Sequence, residues 1–171
     1  MDAGGQRLIR SAHAADASVI AAIYAHHVAH GTATFDTEAP DEVFWRGKIQ
    51  SIAARHWPFL VCEDGGAVAG YAYATQFRDR AAYAITCENS IYVDADHTGQ
   101  GIGSLLLTQL LDAARHAGFE QMIAVIGGAE PSSVALHRKC GFAHAGRMQN
   151  VGMKFGRQLD TVYMQRGLLT D

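Results

Sequence analysis

Glu88 opens the run Glu88-Asn-Ser-Ile-Tyr-Val93, whose later β-branched and aromatic residues read as a strand. Alternation along it sends Glu88, Ser90 and Tyr92 to one face and Cys87, Asn89, Ile91 and Val93 to the other. A carboxylate midway along such a strand is costly to bury without a task or a partner. Two readings stand: a general base that takes a proton from a nucleophile, or an ion pair with Arg78 or Arg80. A polar loop, Asp94 to Gln100, then leads into Gly101-Ile-Gly-Ser104. Gly99, Gly101 and Gly103 leave the backbone bare where a helix begins. Free N–H groups there, with the positive end of the helix dipole, suit a phosphate or pyrophosphate. No Gly-Lys-Ser/Thr follows at Walker A spacing. G-x-G-x-G also differs from the dinucleotide fingerprint, and Glu120 follows the helix-ending Gly118 directly instead of closing a second strand.

Other side chains have chemistry to offer. Arg78 and Arg80, with Tyr83 close behind, have the forked donors that clamp a carboxylate or phosphinate. Lys154 and Arg157 add two cations further on. The alternative for all four is ordinary solvated surface charge. His26 and His30 are spaced i, i+4, yet no Glu adjoins them in HExxH fashion and no third ligand suggests itself. A solvated or capping role is expected of them, and no metal.

These residues need elements to hold them. Leu105, Leu106, Leu110, Leu111 and Ala114 form an apolar stripe on a helix that Gly118 stops. Upstream, Arg7 to Arg10 reads as a short strand. Asp16 is placed to cap a helix whose buried face is Val19, Ile20, Ile23, Tyr24 and Val28, ending at Gly31. Thr32-Ala-Thr-Phe35 follows, and Pro40 opens a second helix to about His56. Phe59 to Glu63, the turn Asp64-Gly65-Gly66 and Val68 to Thr75 make a hairpin. After the loop Gln76 to Ala81, a long strand from Tyr83 to Val93 completes a meander. Gln121 to Ile126 is a strand and Ser132 to Cys140 a short helix. Ala143 to Met153 and Gln158 to Arg166 pair around Lys154-Phe-Gly-Arg157. The expected architecture is α+β, a mixed, mainly antiparallel sheet flanked by helices on both faces, in one domain spanning 1–171.

Bulk properties narrow the function classes. A chain of 171 residues, 49% apolar and 18% charged, suits an ordinary globule. A net charge of −3 and a pI near 6.3 oppose a nucleic-acid partner. Cys62, Cys87 and Cys140 are scattered, odd in number and without C-x-x-C spacing, which favours a reducing compartment. The opening MDAGGQRLIRSAHAADAS lacks the apolar core of a signal peptide, and no apolar run is long enough to span a bilayer. A cytoplasmic protein without a membrane partner is expected.

The strand ending Ile91-Tyr92-Val93, the loop, Gly101-x-Gly103 and the amphipathic helix together resemble the acetyl-CoA motif of the GNAT acetyltransferases. Ser133-x-x-Leu136-His137-x-x-x-Gly141-Phe142 resembles that fold's second cofactor segment. The likeness is greatest to the phosphinothricin and methionine sulfoximine N-acetyltransferases. It extends through Thr34-Phe35, Arg78-x-Arg80-x-x-Tyr83, Glu88 and Gly152-x-Lys154-Phe155-Gly156-Arg157-x-Leu159-Asp160, from about Ile9 to Gly167.

The resemblance implies an N-acetyltransferase that moves the acetyl group of acetyl-CoA to the α-amino group of an amino acid or analogue. Glu88 falls on the family's catalytic glutamate, acting directly or through water. His137 stands where many GNAT enzymes place a tyrosine, either donating toward the leaving sulfur or simply bracing its helix. Backbone groups of Ile91, Tyr92 and Val93 would pair with the pantetheine amides. Gly99, Gln100, Gly101, Ile102, Gly103 and Ser104 would wrap the pyrophosphate, with Glu130 at the second segment. Phe35 is either an apolar wall for the acceptor or a core residue, and Arg78, Arg80 and Tyr83 would hold the acceptor's acid group. Three positions depart from the family: Thr98 replaces a usual Gln or Arg, Glu130 a usual Asn, and Gln158 a common Trp. A carboxylate cannot donate the hydrogen bond that Asn would, so weaker or rearranged cofactor contact is expected at Glu130. Related enzymes are commonly homodimers, and the hairpin carrying Phe155 is the candidate contact. Alternatives are a GNAT enzyme for another amine (aminoglycoside, polyamine or protein N-terminus) and a non-catalytic acyl-CoA-binding module.

Overall fold

The computed structural model describes residues 7–169. Residues 1–6, where the stretch read as free of a leader begins, and residues 170–171 lie outside the described residues. The chain runs β1 (Leu8–Ser11), α1 (Ala17–His30), α2 (Glu42–Ala54), β2 (Phe59–Asp64), β3 (Ala67–Gln76) and β4 (Thr86–Val93). There follow α3 (Ile102–His116), β5 (Gln121–Gly127), α4 (Pro131–Lys139), β6 (Ala143–Lys154) and β7 (Arg157–Gly167). The seven strands form one sheet in the order β1-β2-β3-β4-β5-β7-β6, antiparallel throughout except for the parallel β4–β5 pair, between which α3 crosses over.

Alternation along β2 and β3 builds a core on each face. Cys62, Ala72 and Ala74 turn toward α3, whose Ile102, Leu106, Leu107, Leu110 and Ala114 are fully buried. Val61, Tyr71 and Tyr73 turn the other way, onto Ile20, Ile23 and Tyr24 of α1 and Trp45, Ile49 and Ile52 of α2. Helices therefore cover both faces, as the α+β pattern requires. In β4 the same alternation buries Cys87 and Asn89 and leaves Glu88 half-exposed.

Local chemistry shifts several expected boundaries. The long strand begins at Thr86, not Tyr83, because Ala81–Tyr83 closes a 3₁₀ turn with the Tyr83 N–H donating to the Arg80 carbonyl at 2.9 Å. Pro40 lies ahead of α2 rather than opening it. Asp41 is the cap, its carboxylate accepting from the Phe44 N–H at 2.9 Å. Asp16 does sit at the N-cap of α1 but makes no side-chain cap bond to that helix. Its carboxylate takes two Arg10 donors at 2.8 and 2.9 Å and the His13 N–H at 2.7 Å, and Arg10 reaches Glu63 as well. That fork holds the Asp16 carboxyl below its usual range. The last hairpin turns on Phe155 and Gly156, with φ of 51° and 69°, the pair of left-handed residues that a type I′ turn demands.

Candidate active site

The site begins where two parallel strands part. Strand β4 pairs with β3 along its whole length, but its ladder to β5 ends at Asn89↔Ala124. The Phe77 N–H donates to the Thr86 carbonyl and the Asp94 N–H to the Ala69 carbonyl, both at 2.9 Å. Even-numbered residues of β4 thus turn their backbone groups toward β3, and odd-numbered ones toward β5. Beyond Asn89 the N–H and C=O groups of Ile91 and Val93 face the gap. His27 of α1 closes one of them, its Nε2–H donating to the Val93 carbonyl at 2.8 Å. The others offer the edge that an extended amide chain pairs with.

The gap opens onto the start of α3. Gly99 and Gly101 have φ of 74° and 85°, left-handed values that a side chain would strain. Gly101 is the N-cap, so the first N–H groups of α3 have no side chain covering them. Arg7 anchors this loop by donating to the Gln100 carbonyl at 2.6 Å and to Asp64 at 3.0 Å. A cleft of about 360 Å³ is lined here by Ile91, Tyr92, Val93, Gly99, Gly101, Ile102 and Gly103, together with Glu130, Ser133 and Leu136 of the α4 segment. Unpaired strand groups leading to a bare helix terminus fit a pantetheine arm and a diphosphate.

A second cavity, of about 250 Å³, lies behind it and shares Ala33, Ile91, Tyr92 and Ser133 with the cleft. Glu88, Phe35, Asn89, His137 and Thr161 are in its wall. Burial raises the Glu88 pKa, while Arg78 and Lys48 oppose that rise. The Arg78 guanidinium is 3.9 Å from Glu88 and packs over the Phe77 ring at 4.0 Å. It approaches the carboxylate without locking it in a fork.

The connection between α1 and α2 forms the roof. The Tyr24 hydroxyl donates to Asp36 at 2.6 Å and accepts from Thr34 at 2.7 Å, and burial raises its pKa. Lys154 is buried and donates to the Gly31 carbonyl at 2.8 Å and the Thr34 carbonyl at 2.9 Å. It is a loop fastener rather than a solvated charge. The Thr32 hydroxyl donates to Glu130, so this carboxylate spans from the α4 segment to the roof.

His137 is also buried, and burial lowers its pKa. Its Nδ1–H donates to the Ser133 carbonyl at 2.8 Å, and its Nε2 lies 3.1 Å from the Asn89 side chain. The atom facing that nitrogen is Asn89 Oδ1, and the Asn89 amide N–H donates to the Ile123 carbonyl at 3.4 Å. Arg80 and Tyr83 are exposed on the loop before β4 and are absent from both cavity walls. Gln100 and Ser104 flank the cleft without lining it. The rings of His26 and His30 meet at a tilt of 45°, centroids 4.7 Å apart, on the exposed side of α1. Among the described residues no group of three or more His, Cys, Asp or Glu is gathered for a metal.

His27, Asn89, Arg7 and Thr32 are the residues that pattern reading did not single out. Their partners lie 34 to 98 positions away in the chain, out of reach of any local spacing rule.

A sheet parted at this point, with a glycine-rich helix start beneath it, defines an acyl-CoA-dependent transferase, and residues 20–142 match the acetyltransferase (GNAT) family. The chain belongs to that family. It is an acetyl-CoA-dependent N-acetyltransferase. It is 44% identical over 154 residues to a phosphinothricin N-acetyltransferase of Alcaligenes faecalis, covering 90% of this chain and 78% of that one. It is 38% identical over 160 residues to an L-methionine sulfoximine/L-methionine sulfone acetyltransferase of Salmonella typhimurium, covering 92% of each. Among solved structures it resembles a phosphinothricin acetyltransferase from Sinorhizobium meliloti in complex with acetyl-CoA. The TM-score is 0.91 at 45% identity, covering 94% of this chain and 88% of that one. No helix among the described residues is long and apolar enough to cross a membrane.

Proposed function

We propose that this enzyme acetylates the α-amino group of an amino acid or close analogue, of the methionine sulfoximine, methionine sulfone or phosphinothricin type, by direct attack with Glu88 as general base. One observation carries the reading. Glu88 stands in the wall of a cavity that shares four residues with the cleft leading to the bare start of α3. An acceptor amine in that cavity has the carboxylate on one side and the acyl group's approach on the other. Acetyl-CoA, when bound, supplies the acetyl group and its leaving thiolate. Ile91 and Val93 align it along the strand gap, and the Gly99–Ser104 turn and Glu130 segment receive its far end. Glu88 takes the proton that an ammonium must lose before its nitrogen attacks, and its raised pKa makes it a better base than an ordinary carboxylate.

Direct transfer is supported by the cysteines. Burial pushes the Cys87 thiol up to about 12 and raises Cys62 as well, so neither supplies a thiolate at neutral pH for a covalent relay. All three cysteines are free, which supports the reducing, cytoplasmic setting. Phe35 forms the apolar wall; Arg78, Arg80 and Tyr83 lie on the exposed loop before β4, outside the cavity wall, and Arg78, 3.9 Å from Glu88, is the one placed to meet an acceptor's acid group. Of the two readings of His137, its engaged nitrogens support the bracing one: it fixes Asn89 and α4 beside the acyl group's path.

The sheet is continuous from β1 to β6 with a core on each face, which supports one domain. Met148, Val151, Met153 and Phe155 are exposed along the edge strand β6 and its turn, which supports a homodimer through this hairpin. Light scattering of the purified protein reads that state directly. For the reaction, thiol release from acetyl-CoA across an acceptor panel is the test. Turnover is expected with methionine sulfone, methionine sulfoximine or phosphinothricin and not with polyamines or aminoglycosides. Tight acetyl-CoA binding without turnover of any amine would refute it.

A further inference from the structure

We propose that Gly152 is a specificity-determining position: its missing side chain is the seat on which Phe35 rests, and that seat sets the depth of the acceptor cavity. The inference rests on the reading of the Glu88 cavity as the acceptor site.

Gly152 lies in β6 opposite Leu159, and its φ is not in the left-handed range, so its backbone does not need a glycine. Space does. A Cβ built at Gly152 would lie 2.3, 2.7 and 2.8 Å from three atoms of the Phe35 ring, distances that no carbon pair tolerates. The ring's other edge reaches the end of β5, where a Cβ at Gly127 would be 3.1 Å from it. Phe35 therefore lies across two glycines and lines the same cavity as Glu88, Asn89 and His137. Alternation in β6 reinforces this. Val151, Met153 and Phe155 face outward, whereas Gly152 and the buried Lys154 face the roof loop, one seating Phe35 and the other fastening Gly31 and Thr34.

The ring is the soft partner in this contact. Phe35 is 36% exposed, while Gly152 is held in the β6–β7 ladder opposite Leu159. Any side chain at position 152 displaces the ring from the outer wall toward the cavity, shortening the room for an acceptor's side chain and leaving the cleft untouched. Two residues of unremarkable type thus set acceptor length without contacting the reacting atoms.

The test uses four proteins: the parent, Gly152→Ala, Phe35→Ala and the double variant. Thiol release is measured with alanine and with methionine sulfone as short and long acceptors, and KM is measured for acetyl-CoA. Gly152→Ala is expected to lower kcat/KM for methionine sulfone relative to alanine by about tenfold, the size a methylene commands in an apolar pocket. The KM for acetyl-CoA is expected to stay unchanged. In the Phe35→Ala background the same substitution is expected to leave that ratio alone, because the ring it would push is gone. Phe35→Ala also relieves the clash, so the double variant keeps the comparison open if Gly152→Ala folds poorly. An equal effect of Gly152→Ala in both backgrounds, or an equal loss with both acceptors, would overturn the seat. If Phe35→Ala itself left the ratio unmoved, the acceptor-cavity reading would fall, and the seat with it.

Discussion

Replacing Lys154 by Met keeps the unbranched side chain as far as Cε and removes its ammonium. The structure sets the size of the effect. Lys154 Nζ donates to two carbonyls of the roof loop, Gly31 at 2.8 Å and Thr34 at 2.9 Å, and the residue is only 4% exposed. No carboxylate lies within ion-pair distance of it among the described residues, and burial lowers its pKa. Each carbonyl stripped of its donor costs about 1–3 kcal/mol. Relief of the buried charge returns part of that, so the net loss is about 3 kcal/mol. For a chain of this length each kcal/mol lowers Tm by roughly 2–4 °C, so Lys154→Met is expected to melt roughly 6–12 °C earlier by calorimetry. The same loop carries Phe35, so the acceptor KM should rise while the acetyl-CoA KM holds, measured by thiol release at a temperature where both proteins are folded. An unchanged Tm together with an unchanged acceptor KM would refute the argument that this amine fastens the roof.

The other expectations follow from the same geometry. Arg78→Gln removes the nearer of two cations that oppose the rise in Glu88's pKa. The acid limb of the kcat/KM profile, where Glu88 must lose its proton to act, should move to higher pH. A shift to lower pH, or none, would dissociate that limb from Glu88. Glu130→Asn supplies an amide donor at the second cofactor segment and releases the Thr32 hydroxyl. Calorimetric titration should find tighter acetyl-CoA binding, and an unchanged or weaker Kd would assign Glu130 to the roof alone. Asp16→Asn breaks the fork to Arg10 and should cost about 1–3 kcal/mol in urea unfolding at neutral pH. Asp16's depressed pKa makes its contribution present above the ordinary carboxylate range and lost as pH falls through the folded value. The variant and parent should therefore converge in acid.

Much of this site is legible in the residues because the elements that build it obey local rules. Strand alternation already puts Glu88 opposite Cys87 and Asn89, and the structure keeps that division. Glycines at 99 and 101 mark a start of α3 that needs left-handed backbone, and Gly118 follows its end. Failures come where a local signal has two uses. Pro40 reads as a helix opener, yet the capping power of Asp41 moves the start past it. Tyr83 has strand propensity, yet backbone bonds between Arg80 and Tyr83 wind a turn there. The remaining surprises are long-range. A lysine beside a turn looks solvated until Gly31 and Thr34, more than a hundred residues away, are found to use its donors. The glycine at position 152 carries no local signal, since its reason is the Phe35 ring.

Glu88→Gln tests the central claim most directly, because it keeps shape and hydrogen bonding while removing the basic oxygen. The account predicts that kcat/KM for an amino-acid acceptor falls by roughly 10²–10⁴-fold with acetyl-CoA affinity unchanged by titration. Retention of most of the parent activity across the pH range would contradict it.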